Sequence, residues 1–166
     1  HGLQSQIDGY GEYAQHSTNY QRLMLQIALC TNALAKKFNL HWPRRTLEAV
    51  RRSVHWLLSL MDFESSRTPN LGANDGAYIF PLTILPFNDY RPVLYAAARA
   101  FIDYNLPRGP WDEMSLWYGT QVAGPRSIVL PRYLGDQLYG KNSWAYFRTA
   151  QFTTRPSHAD QLHFDL

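Results

Sequence analysis

The chain has 166 residues, 45% of them hydrophobic and 17% charged, which is enough for one domain with a core and excludes a disordered chain. Its formal net charge of +3 comes from scattered Lys and Arg, with arginine doublets at Arg44–Arg45 and Arg51–Arg52, and suits an acidic ligand without demanding nucleic acid. The single cysteine, Cys30, excludes an intramolecular disulfide, and no window reaches a membrane-spanning length of apolar residues.

Residues 1–15 are rich in Gly, Tyr and Gln, with Asp8-Gly9 as a turn signal. Ser17 or Thr18 is placed to N-cap a helix running to about Phe38. Along it Leu23, Ile27, Cys30, Leu34 and Phe38 form one stripe, widened by Met24, Ala28 and Ala35. So broad an apolar circumference predicts a helix covered on more than one side. Pro43 opens a second helix, with Leu47, Val50, Val54, Leu57 and Met61 on one face and Arg44, Arg45, Arg51 and Arg52 over much of the rest. The short link from Asn39 to Trp42 predicts an antiparallel helix pair.

Residues 62–88 read as a long loop, which is uncommon inside a compact domain and tends to be functional. A third helix is expected from about Arg91 to Tyr104, with Val93, Ala97, Ala100 and Phe101 as its stripe. A short fourth begins near Trp111 and fades at Gly119. From Ser127 the period changes to two through SIVLPRYL, SWAYFRTAQF and HADQLHFDL, the pattern of strands. About three strands are too few for an independent sheet. The expectation is therefore a mainly α piece of a larger protein, helical over 1–125 and holding the first strands of a β domain over 126–166.

Three stretches carry chemistry. In DGYGEYAQHSTNYQRL, His16, Ser17, Asn19 and Tyr20 crowd the start of the apolar helix. Free backbone N–H groups and the helix dipole there favour an ionised phenol, which otherwise titrates near ~10; ordinary capping and packing is the plainer reading. GANDGAY sets Asn74 and Asp75 between glycines, so a catalytic carboxylate, an acceptor for a sugar hydroxyl and a plain turn are all open. In RPSHADQLHFDL, a regular strand places His158, Asp160, Leu162, Phe164 and Leu166 on one face, and His163 and Asp165 on the other. That disfavours a three-ligand metal site and leaves His158 as an acid or base oriented by Asp160 or a carbonyl, or as a solvated strand-end residue. The site candidates are thus Tyr20 and His158 for proton transfer, and His16, Asn19, Asn74 and Asp75 for binding. The 11 Tyr and 5 Trp are the rings that sugar clefts use for stacking.

Together these segments resemble the heparinase II/III-like polysaccharide lyases. DG followed by QHSTNY at a helix start is similar to their DG…E-x-S-x-x-Y stretch, and RPSHADQLHFDL is similar to their H-x-D-x-L-x-F-x-L strands. The resemblance covers nearly the whole chain. It implies the end of an (α/α) toroid of helix hairpins running into an antiparallel β-sandwich. It also implies β-elimination on a uronic-acid polysaccharide, heparin/heparan sulfate-like or alginate-like, with no cofactor, no nucleic-acid partner and no membrane.

By position, Tyr20 resembles the family's catalytic acid, often also its base, and His158 the sandwich histidine that assists proton transfer. Some members hold a zinc in the sandwich, built partly from residues that would lie beyond Leu166. Gln15 stands where many members have Glu, and Gln21 where a His commonly follows the Tyr. The Asn that neutralises the substrate carboxylate belongs to an earlier hairpin, so this chain alone is expected to be inactive, and its parent periplasmic or secreted. The alternative is a non-catalytic helical carbohydrate-binding or scaffold module in which Tyr20 merely packs.

Overall fold

Ser17 starts the longest helix as the spacing predicts: its backbone is extended (φ −131°, ψ 126°) and its hydroxyl accepts from the Tyr20 N–H. The computed structural model to which this belongs describes residues 2–104 and 106–120. The described residues form α1 (Gly2–Gln6), α2 (Thr18–Lys37), α3 (Arg44–Leu60), α4 (Arg91–Ala97) and α5 (Glu113–Trp117). A π-helical turn, Ala98–Ile102, prolongs α4, and a 3-10 turn, Pro110–Asp112, leads into α5. Among the described residues there is no strand, only isolated antiparallel bridges at Ile7–Tyr13 and Asp62–Arg67. The strands expected over 127–166 lie outside the described residues.

α2 ends where Asn39 takes a left-handed conformation (φ 53°), one of the few residue types that does so at low cost. Lys36 and Lys37 in the last turn complement the negative end of the helix dipole. Residues 38–43 then return the chain, and α3 packs on α2. The inner face of α3 is the expected one: Val50, Val54, Leu57 and Met61 are fully buried and Leu47 partly so. α4 packs on α2 and α5, the π turn packs on α3, and α1 packs on α3 through a 2.7 Å bond from Gln4 Nε2 to Thr46 Oγ1. A one-turn helix this short leaves no periodicity to read.

The orientation of α2 departs from the spacing. Its buried face is Met24, Leu25, Ala28 and Leu29, flanked by buried Thr18, Gln21, Arg22, Gln26 and Asn32, while Ile27, Leu34 and Phe38 of the expected stripe are exposed. Polar groups go inward when each finds a partner there. Gln21 Nε2 donates to Gly11 O (2.9 Å) and Ser53 Oγ (2.8 Å), and Gln26 Nε2 donates to Phe80 O (2.9 Å). The third helix also stops earlier than expected. Asp103 turns left-handed (φ 51°), and Arg51 Nε caps the end by donating to Phe101 O at 2.7 Å. Buried Arg99 ties the π turn to α5, with Nη1 2.9 Å from Ser115 Oγ and 2.7 Å from Asp112 Oδ1.

The segment between α3 and α4 forms the long loop that the sequence predicts. It is pinned from α2. Arg22 is completely buried, and among the described residues no carboxylate pairs with it. Its guanidinium carbon sits 4.8 Å from the Tyr78 ring centre, 4.2 Å from Phe87 and 4.3 Å from Tyr90. It also donates to Phe87 O and to Asn19 Oδ1. Ring faces stand in here for the anion a buried cation usually requires.

Candidate functional site

The first turn of α2 and the loop at 69–77 are built onto one another. Ser17 Oγ donates to Ala73 O (2.6 Å), Thr18 Oγ1 donates to Pro69 O (2.8 Å), and Thr18 N donates to Leu71 O (3.1 Å). Gly72 makes the close approach feasible: it has φ +68°, and a Cβ there would lie 2.1 Å from His16 O. The adjoining turn is held by its own side chains. Asn74 Oδ1 accepts from Gly76 N (3.1 Å), Asn74 Nδ2 donates to Asn70 Oδ1 (2.8 Å), and Asp75 Oδ1 accepts from Ala77 N (3.1 Å). This leaves Asp75 Oδ2 to accept a 2.6 Å hydrogen bond from the Tyr20 hydroxyl at the protein surface.

That bond decides the electrostatics. Donation to Asp75 raises the Tyr20 pKa, and the same bond, with help from Ala77 N–H, lowers that of Asp75. Ionising the phenol would break the bond and set two negative charges side by side. The expectation that the helix start favours a phenolate is therefore corrected: an adjacent carboxylate outweighs a dipole that acts through solvent. Tyr20 is a proton donor at neutral pH.

His16 adjoins this turn. It is exposed, takes a left-handed backbone (φ 50°), and places Nδ1 2.6 Å from Oε1 of buried Glu12. Non-glycine residues in that region are uncommon and gather at functional sites. The preceding turn is fixed by Asp8 Oδ1, which accepts from the N–H groups of Tyr10, Gly11 and Glu12. Asn19, by contrast, points inward, is fully buried and serves Arg22. Gln21 is buried against Gly11 and Ser53, whereas Gln15 is exposed.

The structure thus joins two stretches that the sequence presented separately: Tyr20 with Asp75, and His16 beside Gly72. Asn74 supports the turn from an exposed position. Sequence reasoning missed Glu12 and Arg22. The only signal for Glu12 was its i,i+4 spacing to His16, and nothing marked Arg22 as buried. His158 and Asp160 lie outside the described residues.

Among the described residues no group of three or more His, Cys, Asp or Glu side chains could hold a metal ion, and no helix is long and apolar enough to cross a membrane. No protein-family profile, no curated protein and no solved structure matches the chain.

Proposed function

We propose that this chain is the helical, acid-bearing part of a lyase that cleaves a uronic-acid polysaccharide by β-elimination, with α2 and α3 as a hairpin of an (α/α) toroid and 126–166 as the start of a β-sandwich. The observation that carries the reading is the surface-exposed Tyr20 phenol, held protonated and aimed by Asp75. In the elimination a base removes the C5 proton, the C5–H electron pair forms the C4=C5 double bond, and the C4–O4 bond breaks. The departing O4 then takes a proton. Tyr20 supplies that proton, and Asp75 steadies the phenol beforehand. His158 is the base in this scheme. In this scheme His16 and Asn74, both exposed, bind sugar hydroxyls.

A second reading keeps the surface and drops the chemistry. The two-thirds exposure of Trp117 favours a carbohydrate-binding module, since an open indole offers a flat stacking face. Two measurements separate them. Titrating the chain with uronic oligosaccharides should shift the amide resonances of His16, Tyr20, Asn74 and Asp75, whereas neutral oligosaccharides should not. In the complete protein carrying this chain, Tyr20→Phe should abolish formation of the unsaturated product and leave glycan affinity within a few-fold. Undiminished turnover in that variant would refute the lyase.

A further inference from the structure

Where α3 passes the π turn that ends α4, the surface opens into a hollow of about 440 Å³. That volume lies in the lower half of the roughly 300–1,000 Å³ range of small-molecule sites. α3 lines it with Arg51 and His55, which stand one turn apart and so share a helix face. The π turn lines it with Ala100, Phe101 and Ile102, and Asp103 follows just past the end of the turn. Two local features mark the place. π turns are rare and recur at functional sites. Asp103 holds a left-handed backbone (φ 51°), which is uncommon away from glycine and gathers at such sites too.

The charges around this hollow are not spent on one another. Arg51 gives its Nε–H to Phe101 O at 2.7 Å, and among the described residues no acceptor takes its two Nη groups. Asp103 has neither an ion pair nor a side-chain hydrogen bond among the described residues. His55 likewise has no partner among them. Burial lowers its pKa, so at neutral pH it is an uncharged imidazole with one N–H to donate. Arg99 also borders the hollow, but its Nη1 is bound to Asp112 and Ser115, so its charge is already answered. One unanswered cation and one unanswered anion therefore remain, on separate elements.

This combination selects a ligand of both signs. A phosphate or a plain carboxylate would be drawn by Arg51 and repelled by Asp103, and a metal ion or an amine the reverse. The carbonyl end of α4 adds to the negative side and favours an ammonium there. We propose that the hollow binds an apolar α-amino acid as its zwitterion. Arg51 and the His55 N–H take the carboxylate, Asp103 takes the ammonium, and Ala100 and Ile102 border the ligand's side chain. The inference uses none of the residues assigned to the elimination and stands without it.

Titration of the full chain with L-leucine, followed by amide resonances, tests it. N-acetyl-leucine and leucinamide serve as probes that each lack one charge. L-leucine should give saturating shifts at His55 and across Ala100 to Asp103. Each probe should bind at least about tenfold more weakly, the loss of one charge-assisted contact. Asp103→Asn places at this exposed position a residue that accepts the left-handed conformation. It should weaken L-leucine by a similar factor and leave N-acetyl-leucine unchanged. No saturating shift with L-leucine overturns the proposal. So does N-acetyl-leucine binding as tightly as L-leucine, which would make the hollow an anion site, or leucinamide doing so, which would make it a cation site.

Discussion

Asp75 sets the charge state of Tyr20, and that pairing is open to titration. The Tyr20 contribution to phenolate absorbance, taken as the difference between the native chain and Tyr20→Phe, should emerge above the ordinary tyrosine range near ~10. Asp75→Asn should bring it back down. Ionisation of Tyr20 at or below the ordinary value would contradict the hydrogen bond. The linkage has two signs. Asp75, lowered, contributes stability above the ordinary carboxylate range and loses it as pH falls; Tyr20, raised, contributes below its ordinary value and loses it as pH rises. Amide exchange at Ala77, whose N–H binds Asp75, should therefore be slowest between those limits relative to intrinsic rates. Ser17 gives a simpler test. Alanine there removes both the cap to Tyr20 N and the bond to Ala73 O, and should cost about 1–2 kcal/mol in chemical unfolding.

Among the elements, α3 was legible and α2 only partly so, for one physical reason. The buried positions of α3 are mostly apolar, so a 3.6-residue period marks its inner face. α2 buries Thr18, Asn19, Gln21, Arg22 and Gln26, and a rule that sends polar residues outward rotates it the wrong way. Its ends were readable because Ser17 caps and the Asn39 turn are local chemistry. The loop after α3 was recognisable from composition, but its shape depends on bonds from α2 that no spacing encodes. Arg22 is the strongest of these ties. Arg22→Ala should cost about 3 kcal/mol or more, leaving a cavity and unpaired acceptors on Asn19 and Phe87. Arg22→Lys should recover little of it, because a compact ammonium cannot lie flat on three rings while reaching both acceptors. Urea unfolding of the two variants checks both statements.

For the whole molecule, Tyr20, Asp75, His16 and Asn74 were named from sequence, but Glu12 and the assembly of the site were not. Tyr20 and Asp75 stand 55 positions apart and meet only because glycine at 72 lets the loop backbone rest on His16. The π turn at Ala98–Ile102 has a comparable reach. A π turn holds one residue more than an α turn, the mark an insertion leaves in a helix that kept its neighbours. Deleting Ala100 would take out that extra residue and let the helix run regularly, with Phe101 and the chain after it kept in phase. Arg51 would then keep Phe101 O as its acceptor. The shortened protein should therefore melt close to Ala100→Ser, and a large fall in melting temperature would contradict the reading. The wide turn thus works as slack: it takes up a surplus residue without turning the second half of the fold against the first.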